Sequence, residues 1–486
     1  MIDLIHYFKT IPWELLGIFF LSIIILIFLS EYSYRNDFLE PNLNRKIIHS
    51  IVGIAVSFSP FIFLSNIQPL ILAVTFLIIN LLSYKHNKLK SFHNLNRKTL
   101  GTIFFPLGFI IIASLFWEHK YSIACSFMIL AVSDPLSSLA GENIKKPHKY
   151  NIWKDVKSYE GSAIMFLSTF IILILFSKSI FYQFDTLESF LAIILCCFAI
   201  TIAEAMSIKG SDNISIPLTA FFFIEIFNTV NMGNFIIGFS FVISLITIVL
   251  FYFYKRKHLS LDGFLSSTLM AGLILGFGGL KYVLPIAIFF ILSTLLSKVG
   301  IKNLRELKSG RNANQVFANG GVGLVLCIFN HFYQMELIYI MFLASIAAAN
   351  SDTWATEIGK LSRTRPKDII SGRSLNKGES GGITFIGLLG SMSGSFVIAT
   401  VGYFLDINTS YLIIVFISGF LGSIFDSILG STLQSRFILI DGKTIKEEKE
   451  TDSYHYSGLV SINNNSVNFL CTLSAPIFFI LLYLII

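Results

Sequence analysis

Charge is what this 486-residue chain has least of. Asp, Glu, Lys and Arg make up 13% of it, against about 25% in an average soluble domain. With 54% hydrophobic residues and a mean hydropathy of +0.73, that shortage excludes a disordered chain, a collagen-like fibre and an ordinary soluble protein. Cysteine is scarce too. Cys125, Cys196, Cys197, Cys327 and Cys471 lie in apolar runs without C-x-x-C spacing, so neither a disulfide framework nor a zinc site is expected. Also absent are a Walker A loop, a protein-kinase glycine loop, G-x-S-x-G and H-E-x-x-H. Any nucleotide site must therefore be built on membrane helices.

What is present is apolar runs. A helix of about 20 apolar residues spans a bilayer, and the chain offers about sixteen such runs, from 14–30 to 466–485. The first is not read as a cleaved signal peptide, because it lacks an A-x-A-like site and many further runs follow. The expected fold class is an all-α polytopic membrane protein of about 16 transmembrane helices in two distantly repeated bundles. The remaining charge sorts by side. Lys9, Lys120, Lys178 and Lys281 fall on one face, and the other 32 of the 36 basic residues fall on the opposite face. The positive-inside rule makes that second face cytosolic. The net charge of +7 thus reports topology, and no nucleic-acid partner is expected. The expected location is an integral membrane position, the inner or plasma membrane in a bacterium, with the site loops on the cytosolic side.

Polar residues at the cytosolic ends of these runs recur in the same order in both halves. Arg45-Lys46-x-x-His49 opens a run, against Arg311-Asn312-x-x-Gln315-x-x-x-Asn319-Gly320. Ser133-Asp134-x6-Gly141 closes one, against Ser351-Asp352-x6-Gly359. Lys157-x-x-Glu160-Gly161 faces Lys377-x-x-Ser380-Gly381, Glu204 faces Asp426, and Asp212-Asn213 faces Asn464-Asn465-x-x-Asn468. Five elements in one order mark a distant same-orientation duplication, dividing near Lys255 into domains 1–255 and 256–486.

Asp134, Glu204, Asp352 and Asp426 each end an apolar run, where a lone carboxylate is costly and functional by default. Pro135 is expected to break the helix at Asp134 and to bare backbone carbonyls. A carboxylate at such a break suits Mg²⁺, which takes one or two carboxylates plus substrate phosphate oxygens. The segments at Lys157–Gly161 and Lys377–Gly381 each start a helix, where free N–H groups favour an anion. Arg45, Lys46 and Arg311 add charged donors for phosphate. This is a phosphoryl-transfer inventory, and on these grounds alone an ion-coupled transporter remains open. Gly278-Gly279 and Gly387/Gly390 are read as helix-packing residues.

The first half, through NRKIIHSIVG, NRKTLGTIFFPLG, AVSDPLSSLAGE, VKSYEGSAIMF and EAMSIKGSDNISIPL, resembles the dolichol kinase and phytol kinase family. The second half, through GRNANQVFANGGVG, AAANSDTWATEIGKL, NKGESGGITFIG, GFLGSIFDSILGSTLQ and NNNSVNF, resembles the phytyl-phosphate kinase family. Two departures stand out: Ser133 where the first motif usually has Gly, and Ser380 where an acid is usual in the second.

Together the resemblances imply a bifunctional isoprenoid kinase that turns a free prenol into its monophosphate and then its diphosphate. Mg²⁺ is the implied metal, and CTP or another NTP the donor. Domain one would use Asp134 for Mg²⁺, with Glu204 or Asp212 assisting. Arg45, Lys46, His49, Lys157, Gly161 and Asn213 would bind the nucleotide and its phosphates, and Glu160 or Asp212 would take the alcohol proton. Domain two would use Asp352 and Asp426 for metal, with Arg311, Asn312, Gln315, Asn319, Lys377, Gly381, Asn465 and Asn468 around the phosphates. The implied partners are a long-chain prenol, its phosphate and the lipid bilayer. A cytidylyltransferase making a CDP-activated lipid, or a prenyl-phosphate or ion-coupled transporter, are the alternatives.

Overall fold

In the computed structural model, residues 13–86, 100–153, 155–181, 186–228, 232–297, 310–405, 407–439, 445–446 and 453–485 are described. Lys9 and residues 96–99, named above, lie outside them. The chain forms two compact units, residues 1–241 and 242–486.

The first unit contains α1 (Trp13–Arg35), α2 (Pro41–Ser57), the single turn α3 (Ser59–Ile62), α4 (Ile67–His86), α5 (Gly101–Leu115) and α6 (Lys120–Asn143). A hairpin of β1 (Lys149–Ile152) and β2 (Asp155–Ser158) follows, then α7 (Tyr159–Ile180), α8 (Leu187–Ala205) and α9 (Asp212–Phe227). Helix α10 (Met232–Lys255) carries the division between the units. The second unit continues with α11 (Leu261–Leu296), α12 (Ala313–Tyr333), α13 (Glu336–Gly359), α14 (Phe385–Phe404), α15 (Thr409–Thr432) and α16 (Asn464–Ile485). Its loops carry the short pair β3 (Lys367–Asp368) and β4 (Gly382–Ile383), and the three-stranded β5 (Arg436–Leu439), β6 (Ile445–Lys446) and β7 (Ser453–Ser457).

The protein is an all-α polytopic membrane protein. Twelve of the described helices are long and apolar enough to cross a bilayer. A count of sixteen would also need α5, α9 and α13 to cross and α11 to count twice. Helix α11 does bend, at Gly279, whose φ of 63° and ψ of −164° leave the helical region.

Each unit is built around one helix with buried residues on all sides over much of its length, as a helix enclosed by others must have. In the first unit this is α6, packed against α2, α3, α7 and α9. In the second it is α13, packed against α11, α12, α14, α15 and α16; Phe342–Ser351 are all buried. Close approach to α13 depends on small residues, the packing device of helices in lipid. A Cβ on Gly390 would come within 2.9 Å of the Trp354 carbonyl, and one on Gly419 within 2.6 Å of Ala347 Cβ. Gly278 is likewise pressed against Tyr282 and Cys327. All five cysteines are buried free thiols.

Pro135 does not end α6. The helix runs through it for two more turns to Asn143, so the lost hydrogen bond and the crowding of the preceding turn that an interior proline brings are absorbed within α6. Asp134 therefore projects from the body of a helix and not from a broken end.

Candidate functional site

In the first unit, one cavity of about 860 Å³ gathers side chains from well-separated stretches of sequence. Helix α2 supplies Arg45, Lys46 and His49; α6 supplies Asp134; β2 supplies Lys157; α7 supplies Gly161; α8 supplies Glu204; and α9 supplies Asp212 and Asn213. The β1–β2 hairpin places Lys157 opposite Tyr150, and Ser158 then caps α7 by accepting a hydrogen bond from Gly161 N at 3.1 Å.

The charges are arranged around one lysine. Lys157 Nζ donates to Glu204 Oε1 at 2.5 Å and to the Glu204 carbonyl at 3.0 Å. Burial alone would lower the Lys157 pKa, but the Glu204 carboxylate more than offsets it, with help from Asp212 and Asp134, and raises it above its usual value. Asp134 lies within electrostatic reach of Asp212, Glu204, Lys157 and Arg45. Asp212 Oδ1 accepts hydrogen bonds from the Asn213 N–H and side-chain amide, at 2.9 and 2.8 Å. Three of the residues lining the cavity carry a buried polar atom without a hydrogen-bond partner: His49 Nε2, Thr102 Oγ1 and Asn213 Oδ1.

Some of the expected phosphate ligands are otherwise engaged. Lys46 Nζ is 2.5 Å from Glu142 Oε2, which also accepts from Asn42 at 2.8 Å. Glu142 lines the cavity too. Sequence alone does not single it out beside Pro135; with α6 continuous, Glu142 lies eight residues, about two turns, beyond Asp134. Glu160 does not line the cavity. Its carboxylate accepts from the His148 backbone N–H at 2.9 Å and pairs with His148 Nδ1 at 2.8 Å. Gly161 is held by packing: a Cβ there would stand 3.0 Å from Ser158 Oγ and 3.1 Å from the Ser137 carbonyl.

In the second unit, Asp352 on α13 and Asp426 on α15 meet within hydrogen-bonding reach, with Cys471 of α16 beside them. Carboxyls this close cannot both stay ionised without a proton or a cation to offset their repulsion. The other residues expected around the second site are placed as follows. Asn312 and Gln315 form a reciprocal capping box at the start of α12. The same helix start holds an internal anion: Asp262 Oδ2 accepts from Ala313 N at 2.8 Å. Arg311 joins the strand-like contact with Leu259, and its guanidinium lies over the Phe289 and Phe290 rings, 5.9 and 5.8 Å from their centroids. Burial pulls its pKa below the ordinary guanidinium value, partly opposed by Glu357. Asn319 donates to the Gln315 carbonyl at 2.9 Å. Lys377 donates to the Ser362 carbonyl, and Gly381, at φ +81°, is pressed against Ser431. Asn465 and Asn468 lie in the first two turns of α16. The sequence signal for Asp262 was Ser260-Leu261-Asp262-Gly263, a helix-start pattern.

Among the described residues, no three His, Cys, Asp or Glu side chains converge to cage a metal. Mg²⁺ does not need such a cage, since one or two carboxylates with phosphate oxygens suffice. Asp134 in the first unit and the Asp352–Asp426 pair in the second meet that demand.

Comparison with known proteins places the chain. Residues 244–476 match the family described as integral membrane protein DUF92. The chain is 30% identical over 232 residues to an uncharacterized membrane protein of Methanocaldococcus jannaschii, covering 47% of this chain and 87% of that one. It is 30% identical over 266 residues to Protein PGR of Arabidopsis thaliana, covering 48% and 92%. It is 26% identical over 197 residues to a phytol kinase of Synechocystis, covering 39% and 81%. No solved structure matches it. Through this match and its two relatives at 30% identity, the chain belongs to the DUF92 family of integral membrane proteins.

Proposed function

We propose that the protein is a membrane phosphotransferase that phosphorylates an isoprenoid alcohol in its first unit and the resulting monophosphate in its second. The observation that carries this reading is the mixed character of the first unit's cavity. Along α2 its lining passes from Arg45, Lys46 and His49 to Ile48, Val52 and Val56. A charged pocket thus continues into an apolar one, the shape needed by a substrate with a hydroxyl head and a hydrocarbon tail. Similarity to a phytol kinase points the same way.

The chemistry follows from position. The hydroxyl belongs where polarity changes, beside His49, whose Nε2 is buried without a partner while the ring also hydrogen-bonds the Leu130 backbone. The hydroxyl lies beside His49 Nε2, and Asp212 takes its proton. Arg45 and Lys157 face the transferring phosphate. The donor is CTP or another NTP entering from the lysine- and arginine-rich face, read as cytosolic. Mg²⁺ held by Asp134 would neutralise phosphate charge. In the second unit the acceptor is a phosphate monoester, already largely dianionic near neutral pH because its second pKa is about 6. That step needs the Asp352–Asp426 pair to hold the metal more than it needs a base.

The test uses the purified full chain with Mg²⁺, phytol or geranylgeraniol and each NTP in turn, with products read by mass spectrometry. Asp134→Asn is expected to abolish monophosphate formation, and Asp352→Asn to let monophosphate accumulate. Diphosphate at the parent rate from both variants would refute the assignment. Release of pyrophosphate in place of nucleoside diphosphate would move the protein to the cytidylyltransferases.

A further inference from the structure

The apolar arm of the cavity has a definite end. It follows α2 and α3, which together form a single rod over Pro41–Ile62, from His49 to Phe63, with one lining residue every three or four positions. At 1.5 Å per residue the 14 steps from His49 to Phe63 span about 21 Å, well over half of a bilayer's ~30 Å hydrocarbon core. At the far end Phe63 is 1% exposed and meets Phe19 of α1 edge-on, with ring centroids 5.6 Å apart. Pro69, near the start of α4, closes the same end. The side of the arm is formed by Phe19, Ile23 and Ile27, a stripe on α1, a helix with only Ile23 and Ser30 buried.

We infer that this arm receives one hydrocarbon chain end-on and that the Phe19–Phe63 pair sets the longest chain accepted. This rests on the proposed function for the identity of the head group, but not for the position of the tail. The reasoning is steric. A hydroxyl held at His49 fixes one end of the substrate, and two phenyl rings packed against each other wall off the other. Chain beyond that length must fold back or leave the site. Chain short of it leaves apolar surface unfilled. Because one side of the arm is α1, a helix with only Ile23 and Ser30 buried, the tail also has a sideways route from the bilayer that does not pass the charged mouth.

The experiment has two arms, both on the purified full chain. The first measures kcat/KM with geraniol, farnesol, geranylgeraniol and a longer prenol. Phe63→Trp is expected to move preference to shorter alcohols and Phe63→Ala to longer ones. Each should change the ratio between neighbouring chain lengths by about tenfold or more, as a methylene in an apolar pocket is worth ~10–200-fold. Phe19→Ala should act like Phe63→Ala and serves if a Phe63 variant fails to fold. The second arm needs no turnover. Geranylgeraniol carrying a photoreactive group at its tail terminus is cross-linked to the unaltered protein, and the labelled peptide is mapped. Label on Phe19, Phe63 or Pro69 supports the inference. Label spread over outer helix faces, or chain-length ratios unchanged in folded variants, overturns it. A protein that phosphorylates no alcohol yet labels at Phe63 would sink the proposed function and keep the tail site.

Discussion

Replacing Lys157 by methionine removes the cation that pairs directly with Glu204 in a cluster of buried carboxylates. Lys157 and Glu204 keep 19% and 9% of their side-chain surface, so most of their solvation is lost on folding. Breaking such a pair by deleting one member costs ~3–5 kcal/mol, and the residual exposure of Lys157 places this one at the lower end, about 3 kcal/mol. Asp134 is then left beside Glu204 and Asp212, with Arg45 still in electrostatic reach. For a cooperative unit of this size, each kcal/mol moves Tm by ~2–4 °C, so Lys157→Met should melt about 6–12 °C below the parent in the same detergent. Glu204→Gln should cost less, since Lys157 keeps Asp212 and Asp134 as partners.

The double variant Lys157→Met/Glu204→Leu separates stability from chemistry. Exchanging a buried pair for apolar residues of similar size is often neutral, so the double variant should recover most of the lost Tm while still making no monophosphate. The pH dependence has a fixed sign. A lysine whose pKa is raised by folding contributes fully below its unfolded value of ~10.4 and loses that contribution only as pH climbs through the higher folded value. The gap between parent and Lys157→Met should therefore be equal at pH 7 and pH 9. A Tm for Lys157→Met within about 2 °C of the parent, less than 1 kcal/mol on the same scale, would refute the buried-pair reasoning. Recovery of both Tm and product in the double variant would confine Lys157 to a structural role.

Four further outcomes are expected. Asp262→Ala strips the acceptor from the buried Ala313 N–H, a loss of about 1–3 kcal/mol visible as a lower Tm of the full chain, with no rescue by added phosphate. Gly419→Val sets side-chain atoms where Ser395 Oγ and Ala347 already stand within 2.6 Å of a Cβ; overpacking of ~1–3 kcal/mol should appear as lower Tm and reduced folded yield. His119, hydrogen-bonded to Glu225 at 2.6 Å, has its pKa raised by that bond, against the effect of burial and with the Glu225 and Glu118 charges assisting. Its contribution is present below ~6.5 and fades as pH rises through the folded value, so His119→Gln should flatten the Tm–pH curve there. Asp368 is held below the usual carboxylate range: burial opposes this, but hydrogen bonds from Ser371, Ser431 and Ile370 outweigh it. Its contribution is lost as pH falls below ~3.9, and Asp368→Asn should remove that acid-side slope.

Much of the first site could be read from sequence because its charged residues sit at the edges of apolar runs: Asp134 and Glu204 close such runs, while Lys157 and Asp212 lie in the short polar stretches just before the next ones. These four line one cavity. Two things were hidden for physical reasons. An interior proline costs a helix a hydrogen bond and crowds the preceding turn, yet α6 absorbs both and runs on to Asn143, so sequence alone does not single out Glu142 beside Pro135. The apolar arm is made by residues from α1, α2, α4 and α5, each of which looks in sequence like any lipid-facing run; only tertiary placement makes Phe19 and Phe63 neighbours.

Residues that match between the two halves in sequence differ in their local structure. At the start of α2 no side chain caps the helix, and Arg45 reaches the cavity. At the start of α12 the caps are complete: Asn312 and Gln315 satisfy each other, and Asp262 sits where an anion would bind. A helix N-terminus offers few free N–H groups, and a buried carboxylate already bonded to one of them leaves little room for a phosphate. On the proposed function, the second unit cannot grip its substrate as the first does. Its phosphate has to be met at Asp352 and Asp426, two carboxyls that repel phosphate as well as each other, and the attraction must come from a cation lying between them. The second step should therefore depend more steeply on Mg²⁺ than the first. In a titration with geranylgeraniol and excess nucleotide, monophosphate should form at Mg²⁺ concentrations too low for diphosphate. Parallel dependence of the two products on Mg²⁺ would show that the second unit holds phosphate by protein cations after all.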